Sequence, residues 1–449
     1  MKLLLMNPPN LEDDTILATQ PYSLGLLILY NVAREHGYKV DLINCRDKNQ
    51  MREIIFSQYT LIGIPCYSRQ RYSVFQTVNY IKLVAPNTLV FIGGPHVLGI
   101  EEKILKHYPK CDFVISKEGE LSLLYLLRAI SNNYRSFENI PNLTWRCNDV
   151  IIKNEILYNL QLDQIPYPYY HLEYFQDYSR FSRGGMYFKN PGLVSAVSLS
   201  RGCNNSCIFC ANQSCFGKQR FFSLNYIKGL LKLLYEHHQI RTIHFVDDDF
   251  CGNRKRVLDI CDYIISNKMD IQWRCSTRAT NIDAELAQVM IEAGCKMISI
   301  GLESGSQKVL DSIGKNYCIA EVMKELCLIK KLNIELRISL TFGYETEDNE
   351  AYDETVNLIN TLKPNAVAFF FLKVYPGTPL YKQAVSENYI TDEFWFNDEH
   401  SVPYFERYKS FYEFNNIVKP YMLEHIKADF PRTYNEGRDD SEYYFIWKD

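Results

Sequence analysis

Three cysteines lie within eight residues in the stretch SLSRGCNNSCIFCANQ, residues 198–213, with the spacing C-x3-C-x2-C. Clustered cysteine thiolates bind zinc or iron–sulfur clusters, and structural sites of both kinds are closed by four protein ligands. A catalytic metal site differs because it keeps one coordination position open for substrate. Three cysteines therefore predict a metal centre with an open position, unless a fourth ligand lies elsewhere.

Cys215 is close enough in sequence to Cys203, Cys207 and Cys210 to be that fourth ligand. In this alternative the site is a closed cluster or a zinc site, with no place for a substrate. We favour three ligands, because the loop follows a predicted strand at the end where barrel enzymes carry their active sites. Three thiolates on a four-iron cluster leave one iron free.

The composition is that of a globular protein with more than one domain. The chain has 449 residues, 47% apolar and 23% charged, and a formal net charge of -4, which provides no large basic field for nucleic acid. No apolar run approaches the roughly 18 residues of a membrane span, and two prolines interrupt the N-terminal MKLLLMNPPN too early for a signal peptide. We therefore expect a cytoplasmic protein whose 14 cysteines are mostly reduced.

Residues 1–135 alternate aliphatic or β-branched runs with amphipathic segments, which indicates an α/β domain with a doubly wound, Rossmann-like parallel sheet. Its predicted strands are residues 2–6, 39–43, 60–65, 88–92 and 111–115. Ligands of such sheets bind beyond the carboxyl ends of the strands. The residues there that offer small or polar groups to a ligand are Pro8, Tyr67, Ser68, Gly93, Gly94, Glu118 and Gly119.

Residues 136–190 lose this periodicity and contain the run QLDQIPYPYYHLEYF, so they are predicted to form a linker. Alternation resumes over 191–380 with six strand–helix units. Six units predict a partial (β/α)6 barrel of the TIM type that is open on one side. Residues 381–449 are predicted to be a small helical region rich in aromatic residues, including the stretch 404–414.

The motif RGCNNSCIFC resembles the cluster motif of radical S-adenosylmethionine enzymes, and the span from about residue 190 to 380 is similar to their partial barrel. The runs SLGLLILYNVAREHGYKV, IGGPH and EGE resemble the cobalamin-binding domain that precedes this barrel in one large subgroup, and IPYPYY is similar to the linker of that subgroup. The resemblance implies a 4Fe-4S cluster on Cys203, Cys207 and Cys210, S-adenosylmethionine on its open iron, and cobalamin on the N-terminal sheet.

In this family an electron from the cluster cleaves S-adenosylmethionine and gives a 5'-deoxyadenosyl radical. The resemblance implies an electron donor such as flavodoxin or ferredoxin, and cobalamin-dependent methylation of an unactivated carbon in a small metabolite or peptide. Cyclisation or rearrangement by the same radical is the alternative. The family's cofactor-facing positions fall here on Asp248 for the ammonium group, Arg337 for the carboxylate and Glu303 for the ribose. The third strand offers Arg274, Ser276 and Arg278 beside them.

Two other functions are possible for a chain with such a cysteine loop. An iron–sulfur electron carrier or redox sensor needs neither a barrel nor charged strand ends. Methylthiolation of transfer RNA favours a basic C-terminal domain, whereas residues 380–449 hold 14 acidic and 8 basic residues.

The N-terminal domain departs from one cobalamin-binding pattern. It lacks the D-x-H-x-x-G motif that supplies a histidine ligand in another cobalamin-binding class, so His96 is not expected to bind cobalt. A broad corrin ring instead needs a platform of backbone and small side chains. The sequence therefore predicts that a bulky residue at Gly94 excludes cobalamin.

Overall fold

The computed structural model describes residues 1–9, 11, 22–134, 136–158, 161–181, 192–396, 403, 413–426, 432–435 and 442–446. The strands are β1 (Lys2–Asn7), β2 (Lys39–Asn44), β3 (Leu61–Pro65), β4 (Leu89–Gly93), β5 (Phe113–Ile115), β6 (Leu143–Cys147), β7 (Val150–Lys153), β8 (Val194–Val197), β9 (Ser200–Arg201), β10 (Arg220–Phe221), β11 (Thr242–Phe245), β12 (Gln272–Thr277), β13 (Cys295–Glu303), β14 (Glu335–Phe342), β15 (Ala366–Phe371), β16 (Arg432–Asn435) and β17 (Glu442–Ile446).

The α-helices are α1 (Leu24–Glu35), α2 (Lys48–Glu53), α3 (Arg71–Val84), α4 (Glu101–His107), α5 (Glu120–Ser131), α6 (Leu172–Phe181), α7 (Asn212–Phe216), α8 (Leu224–Lys232), α9 (Arg254–Ser266), α10 (Ala284–Glu292), α11 (Gln307–Ser312), α12 (Ile319–Ile329), α13 (Asn349–Leu362), α14 (Pro379–Ser386) and α15 (Lys419–His425). None of these described helices has the length and apolarity needed to cross a bilayer.

The first compact unit is built mainly from residues 1–181 and contains a seven-stranded sheet in the order β2-β1-β3-β4-β5-β6-β7. β1 to β5 pair in parallel, which confirms the doubly wound sheet predicted from the sequence. Leu3, Leu4 and Leu5 of β1 are all fully buried, as expected for a central strand covered on both faces. The strand order reverses between β1 and β3, and ligands of such sheets bind at this switch point.

The segment 136–190 is more than the linker predicted from the sequence. Its first part forms β6 and β7, an antiparallel hairpin that extends the sheet beyond β5. Asn148 and Asp149 join the two strands with φ values of 45° and 66°, which both central residues of a type I′ hairpin turn require. The Asn–Asp pair between two β-rich runs was the local signal for this hairpin. Residues 182–190 lie outside the described residues.

Two later segments complete the first unit, residues 211–220 with α7 and residues 375–402 with α14. Trp395 is fully buried there. Its ring lies 5.2 Å from the Arg71 guanidinium and 5.1 Å from the His96 ring. The first unit therefore draws its core from three separate stretches of the chain.

The second unit contains an eight-stranded sheet in the order β16-β17-β15-β14-β13-β12-β11-β8. β8 and β11 to β15 are the six parallel strands of the predicted partial barrel. The C-terminal region is not only helical, since β17 pairs antiparallel with β15 and with β16. Most of the aromatic stretch 404–414 lies outside the described residues.

Side-chain caps set the starts of the barrel helices. Asp283 accepts a hydrogen bond from the Leu286 N–H at 2.7 Å at the start of α10, and Asp348 accepts one from the Ala351 N–H at 3.0 Å at the start of α13. Each cap satisfies a backbone donor that has no partner within its helix. Each cap also fixes the end of the loop that joins the preceding strand to its helix.

Candidate functional site

Cys203, Cys207 and Cys210 lie in the loop after β8 and the short strand β9, at the carboxyl end of the first barrel strand. All three thiols are half-buried, and none of them is in a disulfide. The Ile208 N–H within the loop donates to the Ile313 carbonyl at 3.2 Å. The cysteines therefore lie on the face of the barrel where this architecture carries its chemistry.

Two side chains direct N–H groups at the cysteine sulfurs. The Asn205 Nδ2 atom lies 3.3 Å from the Cys203 Sγ atom, and the Arg278 Nη1 atom lies 3.7 Å from the Cys207 Sγ atom. N–H donors are the partners of thiolates that ligate a cluster, because they stabilise the charge on sulfur. The residues of the loop thus fit an iron–sulfur cluster with three protein ligands.

A closed zinc site receives no support from the structure. Among the residues that the structure describes, no three His, Cys, Asp or Glu side chains converge so that they can hold one metal ion. Zinc requires such convergence, since its ligands all lie about 2.0–2.3 Å from one atom. In a four-iron cluster each cysteine binds a different iron, so three sulfurs spread around the cluster remain compatible with it.

Most other cysteines are buried thiols with a packing role. Cys215 is buried on α7, in contrast to the three half-buried cysteines of the loop. Burial raises the pKa of the Cys261 thiol to about 12. A metal ligand must be a thiolate, so a raised pKa opposes ligation.

The aspartates after β11 divide into two buried residues and one exposed residue. Asp247 accepts a hydrogen bond from the Leu199 N–H at 3.1 Å, and Asp249 accepts one from the Thr277 hydroxyl at 2.8 Å. Both buried carboxylates thereby organise neighbouring strand ends. Asp248 between them is exposed, as a cofactor-facing side chain must be. Its contact with S-adenosylmethionine stays a prediction.

The inner face of the barrel is polar. The strand register aligns Ser276 of β12 with Ser299 of β13, and Ser299 with Arg337 of β14. Arg274, two residues before Ser276 on the same face, has its Nη2 atom 3.3 Å from the His244 Nδ1 atom. Burial, followed by the charges of Arg274 and Arg337, holds the pKa of His244 well below its usual range. The structure thus places Arg274 and Arg337 near a neutral imidazole, with Ser276 on the same face of the sheet.

Glu303 ends β13 in the left-handed region, with φ of 74°. Its Oε1 atom lies 3.1 Å from the Lys315 Nζ atom, and its Oε2 atom accepts a hydrogen bond from the Thr341 hydroxyl at 2.7 Å. Arg337 lies four residues before Thr341 on β14, which corresponds to about 13 Å along the strand. Glu303 and Arg337 therefore lie at different depths, Glu303 near the carboxyl end of the barrel and Arg337 deeper inside.

The carboxyl edge of the N-terminal sheet presents an exposed aromatic side chain. Pro8 follows β1, and Tyr67 and Ser68 follow β3, so they flank the switch point of the sheet. Pro8 is buried, whereas 42% of Tyr67 is exposed. A broad apolar ring such as a corrin fits an edge with an exposed aromatic side chain. The residues of this edge are thus compatible with cobalamin.

Gly93 and Gly94 are explained by packing within the sheet. A Cβ atom at Gly93 would lie 2.9 Å from the Ile115 carbonyl oxygen, and one at Gly94 would lie 2.9 Å from the Cys66 carbonyl oxygen. Gly94 also has φ of 114°, which side chains rarely tolerate. A bulky residue at Gly94 would therefore disturb the loop itself. Loss of cobalamin binding in such a variant would not distinguish a blocked corrin from a distorted loop.

Ser68 and His96 form a buried pair behind this edge. The His96 Nδ1 atom lies 3.1 Å from the Ser68 hydroxyl, and both side chains are buried. Burial, together with the Arg71 charge, lowers the pKa of His96 to about 3. His96 is thus a neutral, enclosed side chain, and the expectation that it does not bind cobalt stays a prediction.

Glu118 forms a buried ion pair within the first unit. Its Oε2 atom lies 3.0 Å from the Arg220 Nη1 atom, and its Oε1 atom lies 2.9 Å from the Arg220 Nη2 atom. Only 3% of the Glu118 side chain is exposed. Both carboxylate oxygens are thus bonded to protein, and neighbouring Gly119 precedes α5. A contact of Glu118 or Gly119 with cobalamin stays a prediction.

The structure places two further residues beside the cysteine loop. Arg278 was named from the sequence at the end of the third barrel strand, whereas Lys315 was missed. Arg278 directly follows β12, and its side chain reaches both Cys207 and the Lys315 carbonyl. The local signal was a cation directly after a barrel strand, at the end where the site lies. Lys315 had no such signal, since it follows a helix rather than a strand.

Two family models match the chain in the regions of the two sheets. The Radical SAM superfamily matches residues 197–359, and the B12 binding domain matches residues 17–127. The first range contains all three cysteines of the loop, and the second contains the carboxyl ends of β3, β4 and β5.

The chain is also similar to curated proteins and to a solved structure. It is 29% identical to an uncharacterised methyltransferase of Pyrococcus horikoshii, over 88% of this chain and 85% of that protein. It is 23% identical to the anaerobic magnesium-protoporphyrin IX monomethyl ester cyclase of Cereibacter sphaeroides, over 74% of this chain and 54% of that protein. The solved radical S-adenosylmethionine methyltransferase TsrM from Kitasatospora setae, with cobalamin and a 4Fe-4S cluster bound, superposes with a TM-score of 0.71 at 15% identity, covering 86% of this chain and 75% of that one.

Proposed function

Because this chain belongs to the radical S-adenosylmethionine enzymes that carry an N-terminal cobalamin-binding domain, we propose that it methylates an unactivated carbon of a small metabolite or peptide in a cobalamin-dependent reaction. The observation that carries the proposal is the presence, in one chain, of a loop with three half-buried cysteines and a sheet whose switch-point edge presents Tyr67. The methyltransferases among the similar proteins support methylation.

Each group of residues has a defined task in this reaction. When bound, the cluster supplies the electron that cleaves S-adenosylmethionine, and cobalamin carries the methyl group. The three cysteine thiolates bind the cluster, and Arg278 donates an N–H to one of them. We propose that exposed Asp248 and the polar group of Arg274 and Ser276 hold S-adenosylmethionine, with Glu303 at its ribose.

The electron is proposed to come from a small redox protein, flavodoxin or ferredoxin. The need for a strong one-electron reductant supports this partner class. None of the 14 cysteines, all of which lie in the described ranges, is in a disulfide. Reduced cysteines in this number favour a reducing compartment, so we propose a cytoplasmic location.

The proposal is tested with protein that is purified and reconstituted anaerobically with iron, sulfide and cobalamin. The reaction contains S-adenosylmethionine with a trideuteromethyl group, a chemical reductant and a metabolite extract, and products are identified by mass spectrometry. We expect a product that carries the labelled methyl group, and only when cobalamin is present. An unlabelled product formed together with 5'-deoxyadenosine would replace methylation with cyclisation or rearrangement.

The contribution of Tyr67 to cobalamin binding is tested by Tyr67→Ala. The exposed ring is expected to stack on the corrin, so its loss should remove about 1 kcal/mol of binding free energy and weaken cobalamin binding roughly fivefold. Binding is measured by equilibrium dialysis with hydroxocobalamin. Tyr125→Ala is the matched control, because Tyr125 is 40% exposed and lies within α5 of the same unit. Equal affinity of the two variants would argue against a corrin at this edge.

A further inference from the structure

Arg278 is a buried cation whose side chain makes three separate contacts beside the cysteine loop. Only 9% of the residue is exposed. Its Nη1 atom lies 3.7 Å from the Cys207 Sγ atom, and its Nη2 atom donates to the Lys315 carbonyl. Its guanidinium carbon lies 5.6 Å from the centre of the Tyr317 ring. The planar guanidinium fork thus bonds the loop cysteine and the Lys315 backbone at the same time.

The backbone of Arg278 is fixed as firmly as its side chain. Its N–H donates to the Asp249 Oδ1 atom at 3.2 Å. The same carboxylate accepts hydrogen bonds from the Thr277 hydroxyl at 2.8 Å and from the Asn281 side-chain amide at 2.6 Å. Buried Asp249 therefore holds the turn after β12 from three sides. The guanidinium extends from this fixed backbone and is held by its own bonds to Cys207 and the Lys315 carbonyl.

A fixed cation and N–H donor beside a ligating sulfur has a definite electrostatic effect. One-electron reduction adds a negative charge to the cluster, and part of that charge resides on the cysteine sulfurs. A buried cation stabilises this charge strongly, because little water screens the interaction. Hydrogen bonds to sulfur act in the same direction. Both effects make the cluster easier to reduce.

We propose that Arg278 is a positioning residue that raises the reduction potential of the four-iron cluster through its bond to Cys207. The proposal rests on the cluster alone. It requires neither cobalamin nor a methyl acceptor, so it can fail or succeed independently of the proposed methylation.

The proposal is tested with reconstituted full-length protein in the absence of cobalamin and substrate. The cluster is titrated with an external reductant, and the reduced form is quantified by electron paramagnetic resonance. In Arg278→Gln we expect iron and sulfide contents equal to those of the wild type. At the wild-type midpoint, the ratio of reduced to oxidised cluster should fall about tenfold, which equals a midpoint lowered by about 59 mV.

Two further variants separate this effect from loss of structure. Arg278→Lys keeps the charge but cannot bond Cys207 and the Lys315 carbonyl together, so a smaller decrease is expected. Arg254→Gln removes an exposed arginine that pairs with Asp283 and should leave the midpoint unchanged. An unchanged midpoint in Arg278→Gln overturns the proposal, because a merely structural residue would alter cluster content but not potential.

A measurement on the wild type covers the case in which Arg278→Gln binds no iron. Resonance Raman spectra in water and in deuterium oxide report hydrogen bonds to the cysteine sulfurs. We expect the iron–sulfur stretching bands to shift on deuteration. In Asn205→Ala part of that shift should remain, because Arg278 still donates to the Cys207 sulfur. Bands that are insensitive to deuterium would overturn the proposal.

Discussion

Replacing Cys203, Cys207 or Cys210 with alanine is expected to remove the four-iron cluster from the protein. Each thiolate binds a different iron, so the loss of one leaves an iron without its protein ligand. Loss of a residue that hydrogen-bonds a metal ligand typically lowers metal affinity or activity by about 10–100-fold. Loss of a ligand itself should therefore lower the rate of S-adenosylmethionine cleavage by more than about 100-fold. The measurements are iron and sulfide content, the optical spectrum, and formation of 5'-deoxyadenosine.

Cys215→Ala is the matched control for these variants. Cys215 is buried on α7, only five residues beyond Cys210. Its loss should leave a full cluster and lower the free energy of unfolding by about 1 kcal/mol. Loss of iron in this variant would instead support a closed site with four ligands, and a full cluster in any of the three loop variants would contradict the assignment.

Glu118→Ala is expected to destabilise the first unit by about 3–5 kcal/mol, because it leaves the Arg220 guanidinium without its carboxylate in a largely buried place. Only 16% of the Arg220 side chain is exposed. The change is measured as a shift of the first transition in urea, followed by circular dichroism. Glu118→Leu combined with Arg220→Met should recover most of the loss, since apolar residues of similar volume replace a buried ion pair well.

A surface ion pair provides the comparison for this variant. The Asp259 Oδ2 atom lies 2.8 Å from the Lys255 Nζ atom on the exposed face of α9. Asp259→Ala should change the free energy of unfolding by no more than about 0.5 kcal/mol. If Glu118→Ala proves equally mild, the Glu118–Arg220 pair does not stabilise the unit.

The parallel strands and the position of the cysteine loop could be predicted because their signals are local. Each strand is a short run of aliphatic residues, and the loop follows one of them directly in the chain. The hairpin of β6 and β7 has an equally local signal in Asn148 and Asp149, yet the surrounding prolines and tyrosines of the segment obscured it.

The partners of individual charged residues could not be predicted in this way. Glu118 and Arg220 are 102 residues apart in the chain. Nothing near Glu118 indicates that both its oxygens bond to protein rather than face a ligand. Likewise, the three aspartates after β11 look alike in sequence, and only the fold makes Asp247 and Asp249 buried and Asp248 exposed.

The packing of Trp395 against Arg71 and His96 has a consequence for biosynthesis. Residues 1–181 are synthesised long before the ribosome reaches Trp395. At about 5–20 residues per second, the 214 residues from 182 to 395 take roughly 10–40 s to synthesise. During that interval the nascent first unit lacks the tryptophan that fills its core, and its uncovered apolar surface is a target for chaperones. The barrel must therefore be translated before the domain that precedes it can finish folding.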